Sequence, residues 1–178
     1  MRRIPDEHFE AEDIRRSFRA FVPAAWPVVE PGTPFSSNWH IDAISDKMQA
    51  VTEGHIRRLI INIPPRHMKS LAVTVFWPCS EWLTYPERRF LFASYAQNLS
   101  RRDSLKCRRL IERPGVDDPR RPRSERTVIE RVGYLGVVEL LAHTRGEEPW
   151  QLTGDQSTKG RFENTRTGYR IATSARAR

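Results

Sequence analysis

A lysine and a serine, Lys69 and Ser70, stand together where a predicted loop leads into a predicted helix. The residues before the loop, 59–63 (LIINI), are rich in β-branched side chains and predict a strand buried on both faces of a parallel sheet. Pro64 and Pro65 end that strand, because proline has no amide hydrogen for a sheet. A lysine and a hydroxyl residue at such a helix start predict a nucleotide triphosphate site, in which loop amides and the ammonium contact phosphate and the hydroxyl contacts Mg²⁺.

The predicted site is confined to this short loop, with one residue added from upstream. The nucleotide-binding residues are Pro65, Arg66, His67, Met68, Lys69 and Ser70, and Ser70 contacts Mg²⁺ through the nucleotide. The match to G-x-x-x-x-G-K-[ST] is partial, because Ile63 and Met68 stand where the motif has glycines. An exposed loop with a helix cap is the alternative interpretation. His40 precedes the loop and is interpreted either as a packing residue beside Trp39 or as an edge-on contact to adenine.

Charge is distributed unevenly along the 178 residues, whose formal net charge is +8. Residues 1–60 carry eight basic and nine acidic groups, whereas residues 61–178 carry 22 and 13, a net of +9. A basic half of this kind suits a polyanion, and arginine makes forked contacts to phosphate. The predicted DNA contacts are Arg101, Arg102 and Lys106 on a basic helix over 97–113. A solvated helix face, in a chain encoded by G+C-rich codons, is the alternative interpretation.

The remaining pattern predicts helices alternating with strands. The residues from Asn38 to Gly54 predict a helix with one apolar stripe, and 90–93 predict a second buried strand that forms a parallel unit with 59–63. Further predictions are a helix over 6–21, a proline-rich extended connector over 22–35, a helix end or kink at Pro78, strands at 150–156 and 161–174 with a turn near 166–168, and buried thiols at Cys79 and Cys107. Residues 114–148 permit no assignment, since their apolar spacing fits helix and strand equally.

Four blocks, at 38–51, 57–70, 89–112 and 161–174, together resemble the amino-terminal ATPase domain of the large terminase subunit of tailed bacteriophages. The resemblance implies an α/β, RecA-like P-loop NTPase fold with a parallel β-sheet core flanked by helices, in a motor that packages double-stranded DNA. It implies ATP and Mg²⁺ as cofactors, and a small terminase subunit and a portal protein as partners in a full-length motor. Lys69 and Ser70 would hold phosphate and Mg²⁺, Arg66 would face the γ-phosphate, and His40 would lie near the base.

The chain also departs from that family. The segment 113–148 does not match, and no acid follows an apolar strand as a Mg²⁺-positioning (Walker B) carboxylate should. Asp117 and Asp118 follow Arg-Pro-Gly-Val, and Asp155 and Glu163 follow polar residues. The expectation is therefore an incomplete fragment without the Walker B strand and the nuclease domain, which binds nucleotide weakly and does not turn it over. No catalytic residue is identified, and the alternatives are a helicase-like ATPase fragment and a basic, non-catalytic nucleic-acid-binding protein.

These patterns divide the chain into four segments. They are a helix and proline-rich connector at 1–37, a P-loop ATPase core at 38–112, a divergent or inserted segment at 113–148, and further core strands at 149–178. No apolar run approaches the ~20 residues that a membrane helix needs, and the amino terminus lacks the apolar stretch of a signal peptide. The expected location is the cytoplasm of a bacterial host. An apolar strand edge left without its neighbour predicts poor solubility.

Overall fold

The chain folds as a mixed α/β structure, described here from a computed structural model over residues 6–116, 120–154 and 160–175. The predicted class, α/β, is confirmed at this level. Over the described ranges there are seven α-helices: α1 Asp6–Arg16, α2 Phe18–Val29, α3 Trp39–Thr52, α4 Trp77–Trp82, α5 Gln97–Glu112, α6 Val128–Val132 and α7 Tyr134–Arg145. A π-helical turn, Leu71–Phe76, leads into α4, and a 3-10 turn spans Arg123–Glu125.

Among the described residues the sheet has three strands, β1 Phe90–Ser94, β2 Arg161–Glu163 and β3 Tyr169–Ser174, in the order β1-β3-β2. β1 and β3 are parallel, with Phe90 opposite Arg170, whereas β2 and β3 form an antiparallel hairpin. The hairpin confirms the predicted turn near 166–168. Glycine is required at Gly168, because a Cβ there would lie 1.9 Å from the carbonyl oxygen of Pro86. The hairpin is thereby held against the chain that enters β1.

The prediction of a β-strand over residues 59–63 is wrong. These residues form neither helix nor strand, and the parallel partner of β1 in the described chain is β3. Leu59, Ile61 and Ile63 pack against the core, but Ile60 is 93% exposed. The apolar run suggested burial on both faces, whereas only alternate side chains are covered. Since no described strand hydrogen-bonds to this segment, its backbone joins no sheet.

The proline-rich connector predicted over 22–35 is also wrong in its first part. The helix predicted over 6–21 breaks at Ser17, whose hydroxyl accepts a hydrogen bond from the amide of Ala20 at 3.2 Å and so starts α2. α2 then continues through Pro23 and Pro27. Each proline removes one helix hydrogen bond, but burial of Phe18 and Phe21 outweighs that loss. The two prolines are four residues apart and therefore share one face of the helix.

Within the segment without an assignment, 114–148, the described residues 120–148 are largely helical and contribute to the core. Thr127 and Glu130 form a capping box at the start of α6, and Gly133, with φ +78°, separates α6 from α7. Tyr134 is fully buried and donates a hydrogen bond to the carbonyl oxygen of Cys79 at 2.6 Å. The mixed apolar spacing arose because two short helices meet at a glycine.

The main core surrounds Trp82, whose ring packs edge-on against Phe90, Trp150 and Phe162. The predicted burial of Cys79 and Cys107 is confirmed, and their sulfur atoms lie 3.2 Å apart as free thiols. The predicted helix over 97–113 is confirmed as α5. The strand predicted at 150–156 is reduced to one bridge, Leu152 with Asn164, within its described residues, and 155–156 lie outside them. None of the helices described above is long and apolar enough to cross a bilayer.

Candidate functional site

The predicted loop lines a cleft of about 390 Å³. This volume falls within the range of roughly 300–1,000 Å³ that is usual for small-molecule sites. The cleft is lined by Trp26, Pro64, Pro65, Arg66, His67, Met68, Lys69, Ser70, Leu71 and Arg102. All six predicted loop residues are therefore brought together. Three of the lining residues are permanently basic and none is acidic, so the cleft formed by the described residues favours an anion.

The loop backbone adopts a conformation that is costly for residues with side chains. Arg66 and Met68 have φ of 68° and 58°, in the left-handed region. Such a conformation costs roughly 1–2 kcal/mol for a residue other than glycine. Met68 stands at the second glycine position of the phosphate-loop motif, so the chain keeps a glycine-like geometry there without glycine. Backbone strain of this kind is concentrated at functional sites.

The helix that follows the loop begins at Lys69 and Ser70, as predicted. The first hydrogen bond of this helix joins the amide of Ala72 to the carbonyl oxygen of Met68 at 2.8 Å. The amides of Lys69, Ser70 and Leu71 precede that bond and have no partner within the helix. Lys69 is half-buried, and no acid in the described residues forms an ion pair with it. The ammonium, the hydroxyl and these amides together form a donor set that suits phosphate.

Pro78 lies inside the helical run and does not end it, so of the two predicted outcomes, a helix end and a kink, the helix end is wrong. The π-helical turn Leu71–Phe76 continues directly into α4, which contains Pro78. Proline has no amide hydrogen, so the carbonyl of Thr74, four residues earlier, lacks its α-helical donor. The buried Arg170 of β3 donates to that carbonyl oxygen from Nη2 at 3.0 Å. A side chain of the sheet thereby completes the helix that follows the loop.

His40 lies beside the loop, as its predicted role requires. Its ring contacts the ring of His67 edge-on, with centroids 5.3 Å apart, and it also contacts Trp39 edge-on at 6.0 Å. Trp39 is 78% exposed. The Nδ1 of His67 lies 2.9 Å from the carbonyl oxygen of Pro65, so Nδ1 carries the hydrogen and donates it. Exposed aromatic rings beside a cleft that favours an anion are suited to packing against a planar base.

The structure brings the three predicted DNA contacts, Arg101, Arg102 and Lys106, together along one cleft of α5. Lys106 forms an ion pair with Glu30. Arg101 is exposed in a second cleft along α5 and does not line the loop cleft. Arg102 lines both clefts and forms an ion pair with Asp103. The three side chains therefore share one cleft of α5, and of the three only Arg102 also lines the loop cleft.

Besides Pro64 and Leu71, which flank the loop, two residues of the cleft were not predicted to line it, and both are distant from it in sequence. Trp26 comes from α2, in the stretch predicted to be a connector, and its indole nitrogen donates to the carbonyl oxygen of Thr33 at 2.6 Å. Arg102 comes from α5 and was predicted to contact DNA. Neither residue is near the loop in sequence, and no motif carries either one. Only the packing of α2 and α5 around the loop brings them there.

Of the acidic residues weighed as Mg²⁺ ligands, only Glu163 lies within the described residues. Asp117, Asp118 and Asp155 lie outside the described residues. Glu163 is in β2 and contacts Arg161. Within residues 6–116, 120–154 and 160–175, no group of three or more His, Cys, Asp or Glu side chains could hold a metal ion. A larger cleft of about 550 Å³ lies between α4 and α7, and none of the predicted site residues lines it.

Comparisons of the chain with protein-family models, with curated proteins and with solved structures found no match.

Proposed function

We propose that the chain is the ATP-binding part of a phage DNA-packaging motor, related to the RecA-like ATPase domain of a large terminase subunit. The observation that carries the proposal is the cleft over residues 64–71, with Lys69 and Ser70 at a helix start. The four sequence blocks that resemble the terminase family supply the identity of the motor. Double-stranded DNA, a small terminase subunit and a portal protein are the partners that follow from this proposal.

The residues of the cleft fit ATP with Mg²⁺. Lys69 and Arg66 would contact phosphate oxygens, and the amides of the first helical turn would add further hydrogen bonds. Ser70 would offer its hydroxyl to Mg²⁺, whose role in such sites is to neutralise phosphate charge. His40 and His67 contact each other at the edge of the loop and would lie near the base. The left-handed backbone at Met68 supports this assignment, because the motif has glycine at that position.

Binding without turnover is the activity we expect. No acidic side chain among the described residues lines the cleft, so the carboxylates that position Mg²⁺ and water in ATPases have no counterpart there. Asp103 is the nearest carboxylate along the hydrogen-bond network, and it is held by Thr74 and Arg102. The chain would bind nucleotide and require acidic groups from elsewhere for hydrolysis.

A fluorescence titration with mant-ATP and Mg²⁺ tests the proposal. Lys69→Ala should weaken binding by about tenfold or more, because a charged hydrogen bond to phosphate is lost. Lys47→Ala is the matched control, since Lys47 is an exposed lysine of α3 that does not line the cleft. The control should bind as the wild type does, and circular dichroism should show both variants folded.

Equal affinities for the wild type and Lys69→Ala would overturn the nucleotide-binding proposal. The alternative, a basic nucleic-acid-binding protein without nucleotide, would then be favoured if DNA affinity falls steeply with rising salt. A helicase-like ATPase fragment would share the effect of Lys69→Ala. It is distinguished by whether the chain binds purified portal protein, which we expect for the packaging motor.

A further inference from the structure

We propose that Arg102 is a phosphate-contacting residue of the loop cleft and not a DNA contact. The inference rests on the proposed function and adds a residue to its nucleotide site. Arg102 lies in α5, 33 residues beyond Lys69, yet both side chains line the same cleft of about 390 Å³. Its guanidinium would approach the bound phosphates from α5, whereas Lys69 approaches them from the loop.

Asp103 orients the guanidinium of Arg102. The Oδ1 of Asp103 accepts one hydrogen bond, from Nε of Arg102 at 3.0 Å, and lies 2.9 Å from Nη2 in an ion pair. The Asp103 side chain is only 10% exposed, whereas that of Arg102 is 57% exposed. An arginine has five N–H donors, and the hydrogen bond to Asp103 uses the one at Nε, so the four at Nη1 and Nη2 remain for a ligand. A largely buried acid therefore holds an arginine whose remaining donors are accessible.

The same acid connects Arg102 to the helix that carries Ser70. The hydroxyl of Thr74 lies 2.9 Å from Oδ2 of Asp103 and 2.7 Å from the carbonyl oxygen of Ser70. Both of those atoms are acceptors, so the single hydroxyl hydrogen is shared between them. Thr74 is one helical turn beyond Ser70. This network fixes α5 against the start of the loop helix, so the position of Arg102 follows that of the phosphate loop.

The charges around the cleft favour a polyphosphate ligand. Arg66, Lys69 and Arg102 contribute three positive charges, and no described lining residue is acidic. Arginine can contact two phosphate oxygens at once through its planar fork. By comparison, Arg101 precedes Arg102 on α5, is exposed and does not line the cleft. If the basic helix contacted only DNA, the two neighbouring arginines would have similar effects on DNA binding and none on nucleotide binding.

The test measures mant-ATP binding and double-stranded DNA binding for Arg102→Ala, Arg102→Lys and the matched control Arg101→Ala, with Lys69→Ala as a reference. Arg102→Ala should weaken mant-ATP binding by about tenfold. Arg102→Lys should recover part of that loss, because it keeps the charge but loses the fork. Arg101→Ala should bind mant-ATP as the wild type does. Inorganic tripolyphosphate should compete with mant-ATP less well in Arg102→Ala than in Arg101→Ala.

The outcomes separate this inference from the proposed function. If Lys69→Ala weakens mant-ATP binding but Arg102→Ala and Arg101→Ala both bind normally, Arg102 has no role in the cleft and the inference fails alone. Equal losses of DNA affinity for the two arginine variants, with unchanged mant-ATP binding, would assign Arg102 to DNA and overturn the inference. If Lys69→Ala has no effect on nucleotide binding, the proposed function fails and the inference fails with it.

Discussion

The core around Trp82 and the segment 57–70 use apolar residues in opposite ways. Trp82 is fully buried, packs against three aromatic rings, and donates from its indole nitrogen to the carbonyl oxygen of Arg88 at 2.9 Å. In the segment 57–70, Ile60 is almost fully exposed, no strand forms, and two residues have left-handed backbones. The first region is packed on all sides, whereas the second is covered on one side only.

The two regions should therefore contribute to different properties, the core around Trp82 to stability and the segment 57–70 to binding. The core buries enough apolar surface to hold the fold, while the loop carries backbone strain that does not increase stability. Substitutions in the loop should therefore change nucleotide affinity with little effect on unfolding. Substitutions in the core should have the reverse effect. Three predictions test how completely the two regions are separated.

The largest effect is expected for Trp82→Ala. Removal of a fully buried tryptophan leaves a cavity among Phe90, Trp150 and Phe162, and should lower the free energy of unfolding by about 3–5 kcal/mol. Ile60→Ala, in the segment 57–70, should change it by less than about 0.5 kcal/mol, because the side chain is already in water. Urea unfolding followed by far-UV circular dichroism measures both values. Similar losses for the two variants would show that the segment 57–70 is part of the cooperative core.

An intermediate effect is expected from Tyr134 at alkaline pH. Burial, with smaller contributions from the nearby thiols, raises the pKa of Tyr134 well above its usual value of 10.0. The neutral hydroxyl of Tyr134 is therefore retained in the folded state at a pH where the unfolded chain already ionises. Its contribution to the free energy of unfolding is fully present below the unfolded-state pKa and decreases as pH rises from the unfolded-state pKa toward the folded-state pKa. The loss between pH 10 and 11 should be about 1 kcal/mol for this group, because the unfolded-state hydroxyl is already half ionised at pH 10.

Tyr134→Phe is the control for that titration. It removes the ionisable hydroxyl and its hydrogen bond to Cys79, so it should lower stability at neutral pH by about 1 kcal/mol. Its stability should then fall less steeply than that of the wild type between pH 10 and 11. Parallel curves for the two proteins in urea titrations would mean that Tyr134 is not buried as described.

The smallest effect is expected for Arg66→Gly in the loop. Glycine removes the cost of the left-handed backbone, which is larger than the entropy that glycine adds to the unfolded chain. The free energy of unfolding should therefore rise by about 0.5 kcal/mol. Ser70→Gly is the matched control, because Ser70 has φ of −65°, and it should lose about 0.5 kcal/mol. Thermal unfolding of both variants shows whether each melting temperature rises or falls relative to the wild type. If Arg66→Gly is also destabilising, the strain attributed to this loop is absent.

Several elements were predictable because their signals are local. The helix α3 follows Asn38 and its apolar stripe ends at Gly54, whose φ of +79° suits only glycine well. The hairpin of β2 and β3 follows from its turn residues, and the loop helix begins at Lys69 as the motif indicates. Each of these patterns lies within a few residues. Their prediction required no knowledge of contacts with residues distant in sequence.

Other elements were not predictable, because distant partners decide them. Residues 59–63 have the composition of a buried strand, but a strand requires hydrogen bonds from a neighbour that the described chain does not place there. Pro23 and Pro27 indicate a connector, but the buried face of α2 keeps them helical. Propensity is a weak prior in both cases, and packing overrides it.

The amino-acid sequence by itself determined the composition of the cleft's loop, the start of its helix, and the excess of arginine near it. Only the tertiary structure decided that Trp26 and Arg102 join the loop, that Lys106 pairs with Glu30, and that Arg170 completes the helix beyond Ser70. The reason is physical. A capping or turn preference acts over a few bonds, whereas the approach of two side chains far apart in sequence depends on how whole helices pack.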